Sequence, residues 1–241
     1  MQVGFKSDRG LKRENNEDAC FVMPKEGVFV IADGVGGGAC GEIASRTAVA
    51  MVAEYVRNNP EINITDITTA ISYFLPCLEE INEKIIVMSE THPENTGMAT
   101  TIVICYVGGK RAYFVNMGDS RGYIYRNDRL RQVTEDHSYV NDLVKTGIIT
   151  VDAAVKHEKK HMITKALGGD LVAEPDFFKA NLQEGDIIML CTDGLYQEVE
   201  SVEIKKILAQ DHTMNQATSE LVKKANQNGG GDNITVICIK V

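Results

Sequence analysis

The sequence predicts an α+β fold in which helices pack on antiparallel sheets, and three observations carry that prediction. Short apolar runs bounded by Gly, Asp and Asn recur along the chain, as buried strands do. Two long amphipathic helical patterns stand next to one another before residue 90. The remainder of the chain is mostly strand with few intervening helices, not the regular alternation of a βαβ repeat.

Taken in order, strands are predicted at 28–32, 101–107, 112–117, 122–125, 187–191 and 234–241, several of them apolar on both faces. The first helix is predicted over 43–56, with apolar residues at 44, 48, 51, 52 and 55. The second covers 67–85, with apolar residues at 67, 71, 74, 78, 81 and 85, and Pro76 is expected to kink or interrupt it. A third, 214–226, presents Ala217, Leu221 and Ala225 on one face, and the glycines from Gly229 stop it.

The even spread of apolar residues over 241 positions predicts one domain, 1–241, with a sizeable core. A net charge of −9 with no long basic block excludes nucleic acid and anionic membrane as main partners. The six cysteines lie far apart in apolar surroundings, without a C-x-x-C pair, and read as reduced core residues. No signal-peptide apolar region opens the chain, and no apolar run approaches the roughly 20 residues that span a bilayer. A cytoplasmic location is expected.

The chemistry is signalled by apolar runs that end in an aspartate beside a glycine. Val28-Phe29-Val30-Ile31-Ala32-Asp33-Gly34 is one and Ile187-Ile188-Met189-Leu190-Cys191-Thr192-Asp193-Gly194 another. Asn116-Met117-Gly118-Asp119 is a variant, and Asp232-Asn233 inverts the order by preceding the strand. One Asp-Gly is a common turn. Four carboxylates at the ends of core strands would gather at a sheet edge, repel and raise one another's pKa, a cost that a divalent cation removes. Oxygen donors without His or Cys at ligand spacing favour Mg²⁺ or Mn²⁺. Gly34 and Gly194 are expected to let the backbone turn sharply, and the Gly34 carbonyl to be able to face the metal. Arg13-Glu14-Asn15-Asn16-Glu17-Asp18 sets a guanidinium and further acids near this group, which suits a phosphate substrate.

With these motifs the chain resembles the metal-dependent Ser/Thr protein phosphatase family (PPM, type 2C), in its compact bacterial form. The resemblance rests on an ordered series: Ser7-Asp8-Arg9-Gly10, Arg13-x-x-Asn16-Glu17-Asp18, Ala32-Asp33-Gly34, Thr96-Gly97-Met98-Ala99-Thr100-Thr101 and Gly118-Asp119-Ser120-Arg121. It continues through Thr134-x-Asp136-His137-Ser138, Ala166-Leu167-Gly168, Thr192-Asp193-Gly194-Leu195 and Asp232-Asn233-Ile234-Thr235. The resemblance implies a four-layer α-β-β-α sandwich, two antiparallel sheets flanked by helix pairs, with a metal site at one end between the sheets. It implies that Asp33 bridges two Mn²⁺ or Mg²⁺ ions, that the Gly34 carbonyl binds the second, and that Asp193 and Asp232 complete the first. Glu17 would lie in the second ion's shell, Asp18 and Asn233 would support the site, and Asp119 with Asp193 would hold a possible third ion. Arg13 would grip the substrate phosphate. The implied reaction is attack of a metal-activated water on phosphoserine or phosphothreonine in proteins, without a phosphoenzyme. A Hanks-type bacterial Ser/Thr kinase would be the antagonist, and a monomer is expected.

The chain also departs from the family pattern. Val35 stands where many eukaryotic relatives carry a histidine proposed as general acid, which leaves the acid unassigned. His161 and Lys165 replace Asn and Arg beside a flap expected at about 138–161. A surface or capping role is preferred for His161 and a structural hydrogen-bonding role for His137.

Two other classes fit the residues less well. Gly34-x-Gly36-x-x-Ala39 with Glu54 downstream fits a dinucleotide fingerprint, but Asp33 would face a pyrophosphate and Glu54 falls within a helical pattern. A non-catalytic phosphoprotein-binding module of the same fold would be expected to have lost one of Asp33, Asp193 and Asp232.

Overall fold

The computed structural model describes residues 1–36, 40–169 and 174–241. The strands are β1 (Gln2–Asp8), β2 (Asp18–Met23), β3 (Val28–Val35), β4 (Ala99–Thr100), β5 (Ile102–Gly108), β6 (Arg111–Met117), β7 (Arg121–Arg126), β8 (Arg129–Gln132), β9 (Asp176–Asn181), β10 (Ile187–Cys191) and β11 (Ile234–Lys240). The α-helices are α1 (Cys40–Asn58), α2 (Ile67–Thr91), α3 (Tyr139–Lys145), α4 (Val151–Val155), α5 (Asp193–Tyr196), α6 (Ser201–Leu208) and α7 (Met214–Asn228).

One sheet has the order β1-β11-β10-β7-β8 and the other β2-β3-β5-β6-β9, with β4 paired to the end of β3. Every pairing between these strands is antiparallel, so the parallel βαβ unit of a dinucleotide fold is not formed. Ala39 of that fingerprint lies outside the described residues, and Glu54 sits on α1.

Three apolar clusters separate four layers. On β3, Phe29 and Ile31 point into a cluster shared by both sheets, with Phe114, Leu190 and Ile237. Their neighbours Val28, Val30 and Ala32 pack the other way, against Val52 of α1 and Phe74 of α2. The third cluster sets Met189 and Cys191 of β10 against Leu221 and Ala225 of α7. Period-two strands buried on both faces explain why the sequence shows unbroken apolar runs where it would otherwise alternate. Each large side chain so buried contributes roughly 1.5–3 kcal/mol. The architecture is the expected α+β sandwich with α1 and α2 on one side and α6 and α7 on the other.

The helices begin where their caps dictate. Asp66 accepts the Thr69 N–H at 2.9 Å, and Thr213 forms a capping box with Gln216 before α7. Gly229, at φ 155°, ends α7 as the glycines predicted. α2 runs through Pro76 without interruption. Pro76 and Ser72, whose carbonyl loses its helical donor, are both exposed, so water can replace that bond, while Phe74, Leu78, Ile81 and Ile85 keep both halves in one core.

Several strands carried little sequence signal. β1 pairs with β11 over all seven residues yet is an edge strand with partly exposed alternation. β8 closes a hairpin with β7 through Asn127 and Asp128, at φ 49° and 58°, the left-handed pair that favours such turns. Cys77, Cys105, Cys191 and Cys238 are buried free thiols, Cys20 is a half-buried one, and Cys40 is buried. No helix among the described residues is long and apolar enough to cross a membrane.

Candidate metal centre

The acidic residues reach one end of the sandwich from both sheets. Asp18 opens β2 and is the register partner of Asp33 on β3. Asp119 follows β6 where the chain leaves one sheet for β7 of the other, in a turn made by Gly118 at φ 105°. Asp193 opens α5 directly after β10, and Asp232 precedes β11. Thr192 binds these parts together: its N–H donates to the Thr235 carbonyl at 3.1 Å, its Oγ1 accepts the Thr235 N–H at 3.0 Å, and its hydroxyl donates to Asp18 Oδ2 at 2.8 Å. The carboxylates are therefore carried by both stacked sheets, at one end of the sandwich as the resemblance implied, and not along the edge of a single sheet as strand ends alone suggested.

The two glycines are also needed for a different reason. Gly34 lies inside extended β3, and neither it nor Gly194 has a positive φ. A Cβ on Gly34 would sit 2.0 Å from the Gly41 carbonyl oxygen, and one on Gly194 would sit 2.1 Å from that of Asn233. Close backbone approach, of α1 to β3 and of β11 to α5, excludes a side chain. Gly34→Ala is expected to lower unfolding free energy by about 1–3 kcal/mol, read from the denaturant midpoint; an unchanged midpoint would mean that α1 yields freely.

Between these elements lies a cleft of about 370 Å³. Asp33, Asp119, Asp193, Asp232 and Glu17 line it together with Gly34, Arg13 and Asn233. Asp18 stands behind this lining, buried, its Oδ1 without a hydrogen-bond partner. Burial, reinforced by Asp18, Asp193, Asp119 and Asp232, pushes the Asp33 carboxyl well above its ordinary range. Asp193 is raised likewise by burial and then by Asp119, Asp232 and Asp18. Burial lifts Asp18 to about 7, and burial with the nearby Asp136 lifts Asp119 to about 6. Glu17 is raised, again chiefly by burial. Such a cluster is unfavourable when ionised unless a cation shares it.

The side chains do not yet converge on one point: among the described residues no three His, Cys, Asp or Glu stand in a metal-holding arrangement. Asp232 is turned to Arg13, whose Nη2 donates at 2.7 Å, and Asp193 Oδ2 accepts from Gln197 Nε2 at 2.6 Å. Arg13 and Gln197 thus each occupy one carboxylate oxygen, of Asp232 and of Asp193. Gln197 was not singled out from the sequence, although its i, i+4 spacing from Asp193 on a helical turn was a usable signal.

Supporting contacts hold the walls. The Asn233 side chain accepts the Glu17 N–H at 2.8 Å and donates to the Arg9 and Asn15 carbonyls, both at 2.9 Å, fixing the segment that carries Arg13 and Glu17. Thr101 Oγ1 accepts the Asp33 N–H at 3.0 Å. Tyr196 donates to the Asp119 carbonyl at 3.1 Å under the Arg121 guanidinium, which itself pairs with both oxygens of Asp136. His137 Nδ1 accepts the Gly118 N–H at 3.1 Å, a structural bond next to Asp119. Val35 lines the cleft without a polar atom. His161, exposed as the surface reading expects, also lines the cleft and contacts Gln197.

Residues 11–232 match the family model described as protein phosphatase 2C. The chain is 34% identical over 244 residues to the serine/threonine phosphatase stp of Listeria innocua, covering 100% of this chain and 96% of that one. Its backbone superposes on the serine/threonine phosphatase of S. agalactiae with a TM-score of 0.91, 33% identity, and coverage of 100% and 99%. It also superposes on the catalytic domain of PstP solved in complex with two manganese ions, with a TM-score of 0.85, 32% identity, and coverage of 98% and 96%. Family model, full-length identity and shared sandwich agree: the chain belongs to the protein phosphatase 2C family.

Proposed function

We propose that this protein is a Mn²⁺- or Mg²⁺-dependent phosphatase of phosphoserine and phosphothreonine in proteins. The observation that carries the reading is the set of acidic side chains drawn from both sheets into one cleft, where burial and neighbouring carboxylates push Asp33 and Asp193 well above the ordinary range. An all-oxygen donor set, mutually repelling, fits hard divalent cations. Asp33, Asp193 and Asp232 with the Gly34 carbonyl would hold two ions, Glu17 would stand near the second, and Asp119 with Asp193 would take a third. Bound there, the ions would neutralise developing charge and make water a competent nucleophile at neutral pH.

The chain's own side chains do the rest. Asp18, tied to Thr192, and Asn233, clamping residues 9–17, keep the carboxylates in place. Arg13 uses one bond on Asp232 and has further N–H groups for two phosphate oxygens. Water would attack phosphorus as the ester P–O bond breaks, the departing serine or threonine oxygen gaining a proton that the water gives up, so that inorganic phosphate and the free hydroxyl form with no phosphoenzyme. Residues 1–241 act as one catalytic domain with 138–161 as its flap, monomeric and cytoplasmic, opposed by a bacterial Ser/Thr kinase.

Purified protein should hydrolyse p-nitrophenyl phosphate and a phosphothreonine peptide with Mn²⁺ or Mg²⁺. Absence of turnover with every metal, or turnover indifferent to chelation, would sink the reading. Arg13→Ala should raise KM about ten-fold or more with a smaller change in kcat, as expected for loss of a charge-assisted bond to bound phosphate; a pure kcat effect would contradict that role.

A further inference from the structure

Few side-chain donors line the cleft, and most of their bonds are already used. The Thr101 hydroxyl contacts Ser120 Oγ at 2.8 Å and accepts the Asp33 N–H at 3.0 Å. The Asn233 amide spends its N–H groups on the Arg9 and Asn15 carbonyls. Arg13 remains, and so does His161, the only imidazole among the described lining residues.

The tautomer of His161 follows from Gln197. One amide nitrogen, Gln197 Nε2, lies 2.6 Å from Asp193 Oδ2 and 3.2 Å from His161 Nδ1. An amide N–H can only donate, so with Gln197 Nε2 as the shared donor Nδ1 accepts. That contact leaves Nε2 as the ring nitrogen available to donate, and it has no hydrogen-bond partner among the described residues. Held through Gln197, the ring offers the cleft an oriented N–H donor.

We infer that His161 is a substrate-contact residue, donating Nε2–H to a phosphate oxygen of the bound phosphomonoester beside Arg13, with Gln197 as the positioning residue that sets its tautomer. This rests on the phosphatase reading above. It makes one wall of the phosphate site a histidine carried by the segment next to α4, tied through Gln197 to Asp193.

The test compares wild type, His161→Ala and His161→Asn, all loaded with Mn²⁺. The measurements are p-nitrophenyl phosphate kinetics, inhibition by inorganic phosphate, and calorimetric Mn²⁺ affinity. His161→Ala is expected to raise KM and the phosphate inhibition constant together, by about ten-fold, with kcat within about two-fold and Mn²⁺ affinity unchanged. His161→Asn, which keeps an N–H donor, should recover part of the loss. Unchanged KM and phosphate inhibition would overturn the assignment. So would a parallel loss of Mn²⁺ affinity, which would place the residue's effect on Asp193. If the wild type hydrolysed nothing, the phosphatase reading would fail separately, and calorimetric binding of inorganic phosphate to the Mn²⁺-loaded proteins would still decide whether His161 contacts it.

Discussion

Asp193→Asn is expected to lower turnover on the order of 10³-fold or more while leaving the protein folded, and to make it more stable when divalent cations are chelated. The activity loss follows from the position of Asp193, which is proposed to serve the first core ion and the third. Charge stabilisation by a metal is worth several kcal/mol, and each 1.36 kcal/mol is a factor of ten in rate. The stability gain follows from the opposite sign of the same charge. Asp193 is raised by burial and by Asp119, Asp232 and Asp18, so its ionised form works against the fold. Asparagine keeps an oxygen for Gln197 and removes the repulsion. Phosphopeptide turnover and a melting curve in chelator read the two effects. Retention of a tenth of wild-type activity would remove Asp193 from the centre, and a lower melting temperature would show that its carboxylate is structurally required.

Removal of divalent cations from the wild type should abolish turnover and make stability fall as pH rises. The folded-state values of Asp18, about 7, and Asp119, about 6, lie above the ordinary unfolded value of about 4, and Asp33 and Asp193 are shifted the same way. A carboxyl raised on folding holds a proton that the unfolded chain releases. Its contribution is fully present below about pH 4 and is lost as pH climbs through about 6 to 7. Mn²⁺ binds the ionised form and should reverse this trend. At a hundred times its dissociation constant it would add about 2.7 kcal/mol, a rise on the order of 5–10 °C in a chain of this size. Melting temperatures from pH 5 to 7.5, with chelator and with Mn²⁺, check both slopes. A chelated protein whose stability rises over that interval would contradict the burial-driven shifts.

Much of the fold was legible because its signal is local. Apolar runs such as 187–191 match β10 residue for residue, and the helical spacing of 214–226 marks α7. The interruption that Pro76 could have caused is absent because the proline lies on the wet face of α2, which tolerates the missing bond and which the sequence does not mark. β1 escaped because an edge strand buries little and need not be apolar. At the site, the aspartates announced themselves by ending apolar runs, whereas Gln197 has no such marker and acquires its role only by standing one helical turn after Asp193.

By itself, the sequence determined which residues could make a hard-cation centre, that helices would cover antiparallel sheets, and which family the ordered motifs resemble. Those properties follow from residue chemistry and from periodicities of two and 3.6, read within a few neighbours. Only the tertiary structure decided that Gly34 is required by the close approach of Gly41, and that Arg13 reaches Asp232 across 219 positions of chain. It also brought His161 to the cleft and set its ring against Gln197. Such contacts depend on how stacked sheets align their ends, a geometry set by the packing of the whole core and written in no single segment.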